Sequence, residues 1–200
     1  MGGPVNAEDE LETHQIQHTS KDLTIDITLS YITVMKYAIS FLLAWGALGQ
    51  TREHAEASMV LRLQAPPEVV FPLFGPIREA EWAPHWNPTL LFPADRAQKA
   101  GAVFTTRQHD RDVIWILTTY DAAAFRIGYV TVAPGQTAGQ LDITLKAIGE
   151  KETEATVTHR WTSLAEGWDS RVKEFGEQFP FEREHWEHAI GARLRELTAH

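Results

Sequence analysis

The residues best placed to do chemistry begin with His159. In the stretch Thr153 to Leu164, strict alternation puts Ala155, Val157, His159, Trp161 and Ser163 on one face. Its apolar members mark that face as the inner one, so His159 is expected to point into the interior. A histidine there can act as a general base or as an orienting donor, because its pKa lies close to working pH. The plain alternative is a core histidine bonded to a neighbour. A second candidate is the loop Glu81-Trp-Ala-Pro-His-Trp-Asn-Pro88, where His85 could act with Glu81 as an acid/base pair at a pocket mouth. The same loop also reads as a packed plug whose polar tips face water. His185 and His188 stand three apart beside Glu184, a spacing that can set two metal ligands on one helical face. No partner motif accompanies them, so a solvated polar face is expected and no metal site.

Several chemistries are excluded. The chain has no cysteine, which removes thiolate nucleophiles, disulfides and Cys-ligated zinc or iron-sulfur centres. There is no glycine-rich phosphate loop, nucleophile elbow or paired-carboxylate signature. No cofactor is expected. The net charge of -9, with Lys and Arg scattered along the chain, leaves no basic surface for phosphates, so nucleic acid is not an expected partner.

The elements that must position these residues lie in one domain of roughly 58–200. Met59 to Gln64 alternates as a strand, and Pro66-Pro67 ends it while opening a helix. Glu68 to Phe74 and Ile77 to Trp82 read as two short helices broken by Pro72, Gly75 and Pro76. Five strands follow at 102–108, 113–120, 124–132, 139–148 and 153–164, separated by turns too short for anything but antiparallel hairpins. Phe181 to Leu197 carries Trp186, Ala189, Ile190, Leu194 and Leu197 at helical spacing. The expected fold is α+β: a curved antiparallel sheet of about six strands wrapped around a long C-terminal helix, with two short helices after the first strand. A helix gripped by a curved sheet does not fill the concavity, and the remainder is a pocket.

Six of the seven tryptophans follow residue 57, a heavy aromatic load for a core and a suitable lining for an apolar cavity. Trp82, Trp86, Trp115, Tyr120, Tyr129, His159 and Trp161 are the expected ligand-binding residues. Alternation leaves the inner face of 113–120 open, since Trp115, Leu117 and Thr119 share one side and Ile114, Ile116 and Tyr120 the other. Tyr129, on 124–132, has the same ambiguity.

Ala65-Pro-Pro-Glu-Val-Val-Phe-Pro-Leu-Phe74, Glu81 to Pro88, Gly101-Ala-Val-Phe-Thr-Thr106 and Tyr129 to Gly135 with the strand after it resemble the START/polyketide-cyclase-like superfamily. This is the SRPBCC superfamily, with the helix-grip fold of the birch pollen allergen, and the resemblance covers about 58–197. It implies a small apolar partner: a lipid, a polyketide-like molecule or similar. Some members also transform their ligands, so a cyclase- or dehydratase-like enzyme using His159 or His85 is the alternative.

The first 57 residues are different in kind. Residues 1–34 read as a disordered or untranslated leader. Residues 35–57 resemble a signal peptide, with Met35-Lys36, an apolar run to Gly49, and the small-x-small pattern Ala55-Glu-Ala57. Cleavage after Gly49 or Ala47 fits as well, and export to the periplasm or outside would follow. In the other reading 27–49 is a membrane anchor, with Lys36 near its middle at a cost of roughly 3 kcal/mol.

Overall fold

The computed structural model describes residues 51–108 and 111–199. The leader, most of the signal-peptide segment and the alternative anchor 27–49 lie outside them. Among the described residues no helix is long and apolar enough to cross a membrane.

The strands are β1 (His54–Leu63), β2 (Thr89–Phe92), β3 (Val103–Gln108), β4 (Arg111–Asp121), β5 (Arg126–Ala133), β6 (Thr137–Gly149) and β7 (Glu152–Ser163). They form one antiparallel sheet in the order β1-β7-β6-β5-β4-β3-β2. The expected meander is therefore present, with one strand more than the alternation revealed. The additional strand, β2, is only four residues long and lies at the sheet edge between Pro88 and Pro93.

β1 begins at His54, upstream of the expected start at 59. His54 pairs with Thr162, Ala55 with Trp161, Glu56 with Arg160 and Ala57 with His159. Glu53 continues the connection, its N–H reaching Asp169 and its carbonyl accepting from Ser163 N–H. A cut after Ala57 would remove four ladder residues, whereas cuts after Gly49 or Ala47 leave β1 whole.

Between β1 and β2 lie helix α1 (Pro67–Val70), a 3-10 turn at Phe71–Phe74 and another at Arg78–Glu81. Proline opens α1 because its missing N–H is one that the first helical turn leaves unpaired. After β7 the chain is helical nearly to its end: a 3-10 turn at Glu166–Trp168, helix α2 (Asp169–Gln178), a 3-10 turn at Phe179–Glu182 and helix α3 (Arg183–Thr198). The expected terminal helix is the later half of this. Pro180 divides the two, since it offers no N–H to continue the ladder.

The core lies between the sheet's inner face and these helices. Leu61, Leu63, Leu73, Phe74, Phe104, Leu117, Ile143, Val157 and Ile190 are fully buried, each burial contributing about 1.5–3 kcal/mol. α2 rests directly on β1: a Cβ at Gly176 would stand 2.7 Å from that of Ala55, so only glycine permits this approach.

Candidate functional site

The inner face of β7 carries Thr153, Ala155, Val157, His159 and Ser163 buried, with Trp161 half-buried. His159 thus points inward. Its ring meets Trp161 at 4.8 Å, Phe175 at 5.0 Å and Phe179 at 5.8 Å between centroids, all edge-on. Its Nε2 is sealed from solvent and has no hydrogen-bond partner. The aromatic surroundings exclude water without offering a counter-charge, so desolvation drives the imidazole down to about 3 and it stays neutral. It is not a core histidine bonded to a neighbour through that nitrogen. Trp161 lies flat on Phe175 at 3.5 Å and fits there because Gly139, opposite it on β6, has no side chain.

The faces that alternation left open are settled by a bulge. On β4, Val113, Trp115 and Leu117 are buried and point inward. The register shifts between Leu117 and Thr119, so Tyr120 returns to the inner side and meets Phe71 at 5.0 Å. On β5, Ile127, Tyr129, Thr131 and Ala133 are the inward set.

The expected ligand-binding residues fall into several clusters. Trp86, Trp115 and Tyr129 surround Phe104 at 5.8–6.1 Å. Trp82 packs on Phe74 and, at 5.2 Å, on Trp186 of α3, which reaches Phe179 at 6.3 Å and so links to the His159 group. Most of their polar handles are already engaged. Trp82 Nε1 donates to Leu73 O (2.7 Å), Trp86 Nε1 to Pro76 O (2.7 Å), Trp115 Nε1 to Thr106 Oγ1 (2.9 Å) and Tyr129 OH to Phe74 O (2.8 Å). The first two brace the aromatic loop against the segment before it, the third joins β4 to β3, and the Tyr129 bond pins the Phe71–Phe74 turn to the sheet. Among the described residues His159 Nε2 is the fully buried side-chain polar atom without a partner.

The Glu81 and His85 pair is not formed. Glu81 accepts from Arg78 (2.7 and 2.9 Å) and from Arg193 of α3 (2.8 Å), and these cations hold its carboxylate down to about 2. A carboxylate so held is a poor base. His85 is exposed, at a φ of 72°. The ion-paired turn ties the aromatic loop to α3, a structural task. His185 and His188 are exposed on α3, and among the described residues no group of three or more His, Asp or Glu could hold a metal ion.

Glu79, between those two ion-paired residues, was not singled out by its sequence. The residue is half-buried, and its carboxyl lies within electrostatic range of the Tyr129 phenol. Desolvation raises it to about 8, so it too is mainly neutral near neutral pH. A cavity of about 250 Å³ lies over Gly128, lined by Thr119, Arg126, Asp142 and Thr144 among others. These four are outward-facing and polar, so this is a dimple in the solvent side of the sheet and not the expected interior pocket.

Among solved structures the chain is similar to Ara h 8.0201, at 12% identity and a TM-score of 0.54 over 72% of this chain and 99% of that one. It is similar to a START superfamily protein from Mycobacterium smegmatis, at 16% identity and a TM-score of 0.54, covering 72% and 99%. A third is the Zhui aromatase/cyclase from Streptomyces sp. R1128, at 13% identity and a TM-score of 0.53, covering 70% and 93%. The chain therefore has the helix-grip fold of START and polyketide-cyclase-like structures, as a divergent example. No family model and no curated protein matches its sequence.

Proposed function

We propose that this protein binds a small apolar or aromatic molecule between the sheet and the C-terminal helices, with His159 as the polar contact. The observation that carries the reading is the sealed, unpartnered Nε2 amid Trp161, Phe175 and Phe179. An unmade hydrogen bond inside a fold costs about 1–3 kcal/mol, and a ligand group that hydrogen-bonds Nε2, as donor or acceptor according to the tautomer, would recover it. Because the rings now close over that nitrogen, entry requires Phe175 or Phe179 to turn aside, a side-chain movement of the kind that opens a cryptic pocket.

Binding is favoured over proton transfer by the same chemistry. A general base works best with a pKa near the operating pH, and an imidazole at about 3 accepts a hydrogen bond far more readily than it retains a proton. Native mass spectrometry of the protein from its natural host tests this. The expected result is a small-molecule adduct released on denaturation, and its loss in His159→Phe without loss of folding. Wild-type protein free of adduct, with a melting temperature that no small aromatic ligand raises, would overturn the reading.

A further inference from the structure

His159 stands beside a pair of stacked rings, one of them fixed and the other free to leave. The Trp161 and Phe175 centroids lie 3.5 Å apart, and the imidazole centroid is nearly equidistant from them, at 4.8 and 5.0 Å, and steeply tilted to both. These three distances set His159 at the side of the stack, where it meets the rims of the two rings and the face of neither.

Trp161 is the fixed member. It belongs to β7, and a Cβ at Gly139 across the ladder would collide with its indole. Phe175 is the other. Its ring is half-buried on α2, whereas Phe179 is buried and packs on both His159 and Trp186. The helix that carries Phe175 is moored at its start and near its end. Asp169 accepts from Ser163 Oγ and from Glu53 N–H and pairs with Arg52, while Gly176 rests on Ala55. The α2 backbone therefore stays in place while the Phe175 side chain turns about its own bonds, and its partial exposure marks the way out to solvent.

We infer that Phe175 occupies the seat of the ligand, which is a flat aromatic ring that lies on Trp161 in its place and turns a rim hydroxyl to His159 Nε2. The inference rests on the ligand-binding reading and specifies the seat and the chemical class. A ring of phenylalanine's size refills the slot at stacking distance. A substituent on its rim projects sideways from the stack, and the imidazole stands at that side. A hydroxyl satisfies Nε2 in either tautomer, donating to the bare nitrogen or accepting from its N–H, which neither a ketone nor an ammonium group can do. Phe179 closes the remaining side with carbon, so a second polar group buried beside the first would go unpaired.

The test measures phenol and toluene, alike in shape but for the hydroxyl, by calorimetry on wild type and on Phe175→Ala. Removing the resident ring vacates an apolar slot of the kind that takes up small arenes, and ends the competition that the wild-type side chain offers. Phenol should therefore bind the variant roughly tenfold or more tightly than it binds wild type. Within the variant, phenol should be preferred to toluene by about tenfold, the worth of one hydrogen bond to a buried partner, and adding His159→Phe should abolish the preference. Phe175→Leu, which keeps the position apolar without a ring to stack, serves in the same comparison should the alanine variant fail to fold. Equal affinity of phenol for wild type and variant, or no preference over toluene, would overturn the inference, and an adduct in the native spectrum would then leave the ligand-binding reading standing with its seat elsewhere. Phenol bound by none of these proteins, together with no adduct and no ligand that raises the melting temperature, would overturn both.

Discussion

His159 and Glu79 are both ionisable side chains that desolvation shifts towards their neutral forms, the first sealed on the inner face of β7 and the second half-buried in the turn Arg78–Glu81. They differ in what surrounds them and in the direction of their shift. His159 is sealed by edge-on aromatic rings, its shift takes it from 6.5 down to about 3, and as a neutral imidazole it accepts or donates through Nε2 according to its tautomer. Glu79 is half-buried with the Tyr129 phenol within electrostatic range, its shift takes it from 4.5 up to about 8, and it can donate or become an anion. The contrast shows that loss of water moves an acid and a base in opposite directions, each towards its uncharged form. Their linkage to stability then runs in opposite directions.

For His159 the unfolded chain binds the extra proton between about 3 and 6.5, so its contribution to stability rises with pH across that window and is complete above it. For Glu79 the folded chain keeps the extra proton between 4.5 and about 8, so its contribution is complete below that window and is lost as pH rises through it. Between 4.5 and 6.5 the two slopes offset each other.

The largest effects come from removing one member of the pair. In Glu79→Gln, stability measured by urea unfolding should no longer decline on the alkaline side. Relative to wild type the variant should gain progressively from pH 4.5 to above pH 8, towards a difference on the order of 5 kcal/mol. Parallel pH profiles for the two proteins would show that the carboxyl is solvated. His159→Phe should show the mirror image, gaining as pH falls below 6.5 and by a similar order at pH 3, with a gain of only about 1 kcal/mol near neutrality from removal of the unpaired nitrogen. A loss at every pH would mean that the imidazole is a structural bond-maker after all.

Smaller effects separate the walls from the groups they surround. Tyr129→Phe leaves the Phe74 carbonyl unpaired and should cost about 1–3 kcal/mol at any pH, since it removes a bond and no charge. A cost that varied with pH between 4.5 and 8 would place the phenol in direct partnership with Glu79. Gly139→Ala forces a methyl into Trp161 and the Arg160 carbonyl and should cost about 1–3 kcal/mol, with near-ultraviolet circular dichroism reporting the loss of the Trp161–Phe175 stack. An unchanged aromatic spectrum would mean that Trp161 takes its place without help from the glycine.

How far the sequence could be read follows the same division. β7 was legible to its inward residues because its alternation is unbroken from Thr153 to His159, and the helix-grip order followed from short turns and one amphipathic helix. β4 was not, since the bulge near Thr118 puts Leu117 and Tyr120 on one face at a spacing that period-two reasoning assigns to opposite faces. β2 escaped notice because four residues between prolines have little room to alternate. α2 was hidden by composition: within Asp169–Gln178 only Val172 and Phe175 are large and apolar, too few to mark a stripe before the structure adds Phe179. Glu79 had no signal at all. It stands in a run of charged residues with Arg78 and Glu81, and which of the three is left out of an ion pair depends on the two outer ones pairing with each other and with Arg193, more than a hundred residues away.

The pairing of β1 with β7 sets the order in which the molecule can be built. His54 lies opposite Thr162, so the strand made first finds its partner only after the whole β3–β7 meander exists. The local hairpins can form as the chain emerges, but the edge that β1 covers stays open until then, and closing so long a loop is the entropically slow step. Until β1 docks, α2 has no Ala55 to rest Gly176 against, and the aromatic box around His159 lacks the strand beside it. The aromatic surroundings of His159 are therefore completed only once β1 docks.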